Sequence, residues 1–544
     1  MTHLTGSNAD FGSVTGNSSF RIPIHQILKG TAEQYPEKIA LTYAGKEISY
    51  SELATLSDRF SAGLASIGVV KGDCVSLFVP NIPQFVIAYF GILKAGAAIT
   101  AINPQHKERE VELQLADSEA KVAITTTSLL PIVENVLQGT CLESIVIIKS
   151  DGSFEKNGEI KVQNESRQLY FFDELLKTED SSPKISVDPD IDLAALQYTG
   201  GTTGETKAAM LTHSNLVANA AAFSSWLKGV PAKDVFLTVL PLSHIYGMTT
   251  SLNVPVVLGA KMVLISRFDA AVVLDAIQQH KVTVFCGVPT MFQVLLSYPE
   301  QQKFCLSSLR VCISGASPLP VQLQKKFINS TGELLVEGYG LTEASPVTHC
   351  NPVDESLRTV KMGSIGLPLP GTEAKIVDAE TGTKNLPAGE VGELVVRGPQ
   401  VMRGYWKKPK ETAQALRDGW LYTGDLALRD ANGYFYITDR KKDIIKHNGY
   451  TIYPREIEEL LYQHPAVKLC AVAGKADVDS GEAPKAFVVL KDGSQVSEKD
   501  LAAFVNQKLA SYKALHEVEF RQSLPLGSAG KILKRALKEE NPSR

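Results

Sequence analysis

From Pro23 onward the chain alternates short, nearly continuous apolar runs with longer stretches of helical period. Residues 24–35 carry a helical pattern. Lys38-Ile-Ala-Leu-Thr-Tyr43 followed by Gly45-Lys46 reads as a hairpin strand and its turn. A second helix opens within Ile48-Ser-Tyr-Ser-Glu-Leu53, capped by Ser49 or Ser51. Residues 73–79 and 98–102 are strand-like, with a helix between them over 83–95 that Gly96 closes, and 121–125 and 144–148 continue the alternation. Strand–helix–strand at this spacing predicts parallel βαβ units. Residues 193–196 form a short buried strand. Residues 210–215 read as a turn, and the Ala-rich run to Trp226 as a helix opened by Ser214 or Asn215. Further strands fall at 235–239, 261–265, 282–285, 309–313 and 334–337, each followed by a Gly or Pro turn. Functional loops are therefore expected at strand carboxyl ends, where open α/β sheets bind ligands. After about residue 360 the texture changes to short strands between frequent glycines (363–371 and 389–398), a β-rich subdomain. Beyond Arg440 it starts afresh: a helix at 454–464, strands at 467–473 and 485–490, and a helix at 498–509.

With 544 residues the chain can bury several cores. A formal net charge of -4 argues against a nucleic-acid footprint spread over the whole chain. The seven cysteines are an odd number, widely spaced, without CxxC or metal-ligand spacing, and read as buried free thiols in a reducing compartment. Residues 1–20 are polar, expected to be a disordered tail, and have no signal-peptide pattern. Residues 149–168 read as an exposed excursion. The apolar run 252–265 is broken by Pro255, Gly259 and Lys261, so no bilayer span is expected and the location implied is cytoplasmic.

Candidate chemistry concentrates in a few loops. In Tyr198-Thr-Gly-Gly-Thr-Thr-Gly-Glu-Thr-Lys-Ala-Ala209, the glycines Gly200, Gly201 and Gly204 let backbone N–H groups converge on one anion. Thr199, Thr202 and Thr203 add hydroxyl donors, and Lys207 adds charge. Polyphosphate is the ligand such a loop suits. It is not a Walker A element, because two residues separate Gly204 from Lys207 and Ala208 follows the lysine. Glu337-Gly338-Tyr339-Gly-Leu-Thr342-Glu343 offers a stacking face for a base at Tyr339 and a Mg²⁺ ligand at Glu343. Tyr422-Thr-Gly-Asp425 places a carboxylate after a turn, suited to ribose hydroxyls. The segment 439–446 is basic, and Lys531 follows a glycine-containing loop. Singly, each has a plain structural reading: a surface loop, a core tyrosine, a cap, a solvated face. Their joint occurrence in this order makes the functional reading the better one.

Together these residues resemble the adenylate-forming superfamily of acyl-CoA synthetases, firefly-type luciferases and peptide-synthetase adenylation domains, over nearly the whole chain. Closest in texture are the fatty-acyl-CoA ligases, through the 198–204 loop, Pro241-Leu-Ser-His-Ile-Tyr-Gly247, Asp439-Arg-Lys-Lys-Asp-Ile-Ile445 and Tyr453-Pro-Arg-Glu-Ile-Glu458. The resemblance implies an α/β fold: a large N-terminal domain (21–439) of stacked α/β subdomains plus a β-rich subdomain, and a small mobile α+β C-terminal domain (440–544) with its hinge at Lys442. It implies that a carboxylate and ATP give acyl-AMP and pyrophosphate, after which the thiol of coenzyme A displaces AMP. By resemblance, residues 199–207 hold the β- and γ-phosphates, Gly315, Ala316, Ser317 and 337–339 frame adenine, and Asp425 and Arg440 bind ribose. Thr342 lies near the α-phosphate, Glu343 holds Mg²⁺, Lys531 is the adenylation lysine, and His244 sits beside the acyl carboxylate, with a core histidine as its plain alternative. Lys446, Gly449 and Tyr450 replace Lys531 when the small domain turns.

Two departures stand out. The family loop usually reads Pro-Lys-Gly where this chain has Thr206-Lys207-Ala208. If that position needs a left-handed backbone, alanine costs about 1–2 kcal/mol there; an altered loop with retained activity is expected. Asn448 stands where Lys, Arg or Ser is frequent. The expected acyl wall (244–248, Gly315, 338–340, Pro346 and Val347) is apolar and has no acidic counter-ion for an α-amino group. A medium- or long-chain fatty acid fits it; an aryl acid of the cinnamate type also fits, and so does an acyl-AMP ligase loading a carrier protein, although no insertion restrains the hinge. Lipid handling would allow peripheral membrane contact, and the resemblance allows a homodimer.

Overall fold

The computed structural model describes residues 21–149, 167–178, 184–199, 206–353, 359–477, 481–527 and 532–539. The tail expected over 1–20, most of the excursion expected over 149–168, the stretch Gly200–Gly204 and Lys531 lie outside them.

The protein is mixed α/β, a large N-terminal part of stacked sheets followed by a smaller C-terminal unit. One large sheet is built on parallel strands Leu335–Gly340, Val311–Ser314, Val284–Gly287, Val235–Thr238, Lys261–Leu264 and Ile39–Tyr43, in that spatial order. The other runs Leu193–Thr199, Ala98–Ala101, Cys74–Phe78, Val122–Thr126, Ser144–Ile148 and Gln168–Phe171, again parallel. The expected strands are among these, except that Gln168–Phe171 was not expected and that the 282–285 run forms its strand two residues later, over Val284–Gly287.

Helix Pro83–Lys94 is apolar on every side, and all of it but Lys94 is buried. A helix without a polar face must be covered all round. Its Val86 and Phe90 share one core with Leu77 and Ile99 of one sheet and Leu41 and Met262 of the other. Burying a side chain of that size contributes about 1.5–3 kcal/mol, so this layer holds the two sheets together.

Two local expectations change. Residues 207–212, read in part as a turn, form the strand Lys207–Thr212, which pairs antiparallel with Leu193–Thr199 across the glycine loop. The helix that follows spans His213–Trp226, and its cap is neither Ser214 nor Asn215 but Thr212. The Thr212 hydroxyl accepts from the Asn215 N–H, and the Asn215 side chain accepts from the Thr212 N–H. The earlier cap is Ser49, which accepts from the Glu52 N–H.

A third sheet (Glu373–Val377, Gly392–Arg397, Trp420–Arg429 and Phe435–Arg440) is the β-rich part. The C-terminal unit packs helices Pro454–Leu461 and Glu498–Asn506 on strands that include Val467–Asp477 and Gly481–Leu490. Its first hairpin joins Ile445–His447 to Tyr450–Ile452 through Asn448 (φ 49°) and Gly449 (φ 79°). Two consecutive left-handed residues are what a two-residue hairpin of matching twist requires, and Asn-Gly tolerates them best. Asn448 is therefore explained by its turn. Among the described residues no helix is long and apolar enough to cross a membrane. Five cysteines are buried, Cys141 and Cys305 are exposed, and all seven are free thiols.

Phe90→Ala should cost about 3–5 kcal/mol by opening a cavity between the sheets, and Thr212→Ala about 1 kcal/mol by removing a cap. Thermal denaturation of the two variants, the first well below the second, checks this ranking.

Candidate active site

A cavity of about 1180 Å³ opens where strand carboxyl ends of both large sheets converge. Thr199 ends one strand and Ala101 another; Ser243, Gly315 and Leu341 lie just past three strands of the facing sheet. The β-rich sheet adds Asp425 and Arg440, and the C-terminal unit adds Arg455, Gly527 and Ile532.

Helix Ile245–Met248 runs into a π-turn at Thr249–Asn253 and on through Val254–Leu258. Pro255 cannot donate to the carbonyl four residues earlier, which widens the turn. That carbonyl, of Ser251, accepts instead from the Thr238 hydroxyl at 3.0 Å. His244 precedes this helix, and its Nδ1 accepts from the Tyr246 N–H at 3.2 Å. The proton of the neutral ring therefore sits on Nε2, a donor at the cavity wall. Burial holds the imidazole down at about 4, so it is neutral at physiological pH.

In the segment expected to frame a base, strand Leu335–Gly340 pairs with Val347–Cys350, and a Cβ at Gly340 would lie 2.0 Å from the Pro346 carbonyl oxygen. Only glycine permits that approach. Tyr339 donates its hydroxyl proton to Asp425 Oδ2 at 2.6 Å, and Asp425 Oδ1 pairs with Arg440 Nε at 3.3 Å. Asp425 and Arg440 are direct cross-strand partners in the β-rich sheet. Ala316 and Ser317 line the cavity, with Ala316 left-handed at φ 63°.

Glu337 is buried. Its Oε1 accepts from the Leu319 N–H at 3.3 Å and lies 3.9 Å from Arg455 Nη2. Burial pushes its carboxyl up to about 7, although Arg455 pulls the other way. Glu337 Oε2, Ser317 Oγ, Gln197 Oε1 and Ser243 Oγ are buried with no hydrogen-bond partner in the described structure, and all four residues line the cavity. Buried polar atoms are rarely left so, and this set matches a ligand rich in donors and acceptors, as a nucleotide with a carboxylic acid would be.

Glu343 Oε1 accepts from the Tyr405 hydroxyl at 2.7 Å, and Lys207 Nζ lies 5.3 Å from the Tyr405 ring centroid. Tyr405 thus joins the flank of the glycine loop to the carboxylate expected to hold a metal, a link with no signal in the local sequence. No group of three or more His, Cys, Asp or Glu among the described residues could hold a metal by itself. A lone Glu343 suits Mg²⁺, which is commonly held by one or two carboxylates plus substrate phosphates.

The strain considered at Ala208 does not arise. Ala208 sits inside a strand opposite Tyr198, buried, and is not among the left-handed residues; its carbonyl accepts from the Trp406 N–H at 2.9 Å. The expected residues Thr199, Lys207, His244, Gly315, Ala316, Ser317, Glu337, Gly338, Tyr339, Thr342, Glu343, Asp425, Arg440 and Lys442 all line the one cavity. Lys446, Gly449 and Tyr450 do not; they are exposed, with Tyr450 stacked on Tyr512 at 4.6 Å. Residues 527 and 532, flanking the loop that carries Lys531, do.

The family model described as AMP-binding enzyme matches residues 28–406, and the AMP-binding enzyme C-terminal domain matches 456–531. The chain is 43% identical to a long-chain-fatty-acid–CoA ligase of Bacillus subtilis (strain 168), covering 95% of this chain and 94% of that protein. It is 36% identical to a feruloyl-CoA synthase of an Amycolatopsis species, covering 92% and 96% respectively. Among solved structures, ATP-bound MatB from Rhodopseudomonas palustris superposes with a TM-score of 0.85 at 30% identity, covering 96% of this chain and 99% of that one. The same protein in its apo form gives 0.76.

Because the folded-state pKa of Glu337 (about 7) lies above its ordinary 4.5, its contribution to stability is complete below the ordinary value and is lost as pH rises through about 7. Glu337→Gln should abolish that slope. Melting temperatures of both proteins across this window should therefore diverge in favour of the variant as pH rises. Gly340→Ala should denature well below the parent, because backbone and not a flexible side chain blocks its Cβ.

Proposed function

The chain belongs to the AMP-binding enzyme family, and on that footing we propose that it is an ATP-dependent, AMP-forming acid–CoA ligase acting on a medium- or long-chain fatty acid. The observation that carries the reading is a single cavity shared by polar groups suited to a nucleotide and an apolar wall suited to an acyl chain. Its volume is about 1180 Å³ and includes the cleft between the large part and the C-terminal unit, where Gln293 and Lys468 meet. Phe223, Tyr246, Ile313 and Val347 belong to one packed apolar cluster and line it.

A carboxylate is a poor acyl donor, and conversion to a mixed anhydride with AMP supplies a good leaving group. In the first half-reaction a carboxylate oxygen bonds to the α-phosphorus as the bridge to the β-phosphate breaks and pyrophosphate leaves. In the second, the sulfur of coenzyme A gives up its proton and bonds the acyl carbon; the acyl–phosphate bond breaks and AMP departs. His244 Nε2–H is placed to orient the acid's carboxylate. Tyr339 offers the base a face, with its hydroxyl fixed on Asp425, while Asp425 and Arg440 suit the ribose. Thr342, residues 199–207 and Lys531 are assigned to the phosphates. Mg²⁺ bound at Glu343 would neutralise charge on the phosphates. The small unit, from residue 440, carries both Lys531 and the loop at Gly449 that would exchange with it.

An aryl acid is the competing occupant, favoured by the aromatic rings of Phe223 and Tyr246 and by the feruloyl-CoA synthase relative. Pyrophosphate release with Mg-ATP, measured over fatty and cinnamic acids with and without coenzyme A, separates the readings. Coenzyme A-dependent turnover that peaks on a fatty acid is the expected result, and a peak on cinnamates selects the aryl reading. Adenylation without thioester formation reassigns the acceptor, and silence on every acid overturns the proposal.

Lys531→Ala should lower acyl-AMP formation by about 10²–10³-fold while sparing thioester formation from supplied acyl-AMP. Tyr405→Phe should leave Glu343 without its hydrogen bond and raise the Mg²⁺ concentration for half-maximal rate, a shift that titration of Mg²⁺ at saturating ATP would read.

A further inference from the structure

Arg455 occupies an electrostatically awkward place. It lies in the first turn of helix Pro454–Leu461, where the helix dipole disfavours a cation, and it is buried. A buried guanidinium needs counter-charges and acceptors, and most of those it has lie on the other side of residues 440–442. Its backbone N–H donates to Asp439 Oδ2 at 2.9 Å, its Nη1 donates to the Ile437 carbonyl at 2.9 Å, and its Nη2 lies 3.9 Å from Glu337 Oε1. Glu459, on the same helix, supplies the remaining carboxylate at 3.9 Å.

The helix that Arg455 anchors also holds the described segment that follows residue 531. Lys534 Nζ, three residues after Lys531, pairs with Glu458 Oε1 at 2.7 Å. Contacts therefore run from Glu337, through Arg455 and its helix, to Lys534 and the loop whose flanks reach the cavity. Any rotation of the small unit about Lys442 must break all three of the contacts that Arg455 makes with Glu337, Ile437 and Asp439.

We propose that Arg455 is a positioning residue: it latches the small unit in the arrangement that brings Gly527 and Ile532 to the cavity wall, and it must release Glu337 before the thioester-forming arrangement can be reached. This rests on the two-step reading above. Arg455 touches neither the acid nor the phosphates in this scheme; it sets how much of the protein is poised for the first step.

The test reads the arrangement and the chemistry separately. Gln293 Nε2 donates to the Lys468 carbonyl across the two units at 2.9 Å, so cysteines introduced at these positions report closure through a short bis-maleimide cross-link. Exposed Cys141 and Cys305 are first replaced by serine. Without substrates, Arg455→Met should lower the cross-linking rate by about tenfold, and Arg455→Lys should restore part of it. Glu337→Gln, which removes the charge from the other end, should also lower it, and it supplies the reading if Arg455→Met does not accumulate as folded protein. In half-reactions, Arg455→Met should slow acyl-AMP formation by about tenfold yet leave thioester formation from supplied acyl-AMP within about twofold. Unchanged cross-linking in both variants overturns the latch whether or not the parent protein makes acyl-CoA. Equal slowing of both half-reactions also overturns it. Failure of the parent to form acyl-AMP would instead overturn the ligase reading, and the cross-linking result would still decide whether Arg455 holds the units together.

Discussion

Two large sheets share one apolar core, and within it lies a helix that has no polar side. Pro83–Lys94 cannot be exposed along any face without losing the burial of Phe85, Val86, Ile87 or Phe90, and strands Cys74–Phe78 and Ala98–Ala101 with helices Ile24–Gln34 and Tyr50–Ser66 pack around it. With the sheets fixed in that way, strand ends from each meet around a single cavity. Thr199 and Ala101 arrive from one side, and Ser243, Gly315 and Leu341 from the other. The position of the site is thus a consequence of packing in the core, and its chemistry is supplied by the loops that packing brings together.

Two tyrosines at the cavity bond carboxylates carried by other elements. Tyr339, on the strand Leu335–Gly340, bonds Asp425 in the β-rich sheet, and Tyr405, on the strand Gly404–Tyr405 paired with Lys207–Thr212, bonds Glu343. Each tyrosine holds one oxygen of its carboxylate, and in Asp425 the other oxygen faces Arg440. Glu337 and Arg455 extend the scheme to the C-terminal unit, where the guanidinium offsets part of the cost of burying the carboxylate. Low-dielectric surroundings strengthen such pairs and make their separation costly. A charge pair placed between two units is suited to favour one arrangement of them, whereas an apolar contact there would discriminate less between arrangements.

Much of this was legible in the chain. Short, nearly continuous apolar runs located the parallel strands because a strand buried on both faces must be apolar, and the helices between them announced themselves through caps such as Ser49. The glycine loop, the Glu337–Glu343 stretch and Asp425 were recognisable because their chemistry is local: turns, hydroxyls and carboxylates within a few residues. The strand Lys207–Thr212 was read in part as a turn, since its pairing partner, and not its own alternation, makes it a strand. The possible strain at Ala208 vanished for the same reason, because the ladder with Tyr198 sets an extended backbone there.

By itself, then, the sequence determined the elements, the order of the motifs and the kind of ligand they suit, all of which depend on residues close in the chain. Tertiary structure alone decided that strand Ile39–Tyr43 would join Lys261–Leu264, some two hundred residues on. It also decided that Tyr405 would orient Glu343, and that Arg455 would answer the charge of Glu337. Those contacts join residues that no local period or spacing connects. They exist because the two sheets share one buried core, and because buried charges must find partners wherever the fold provides them.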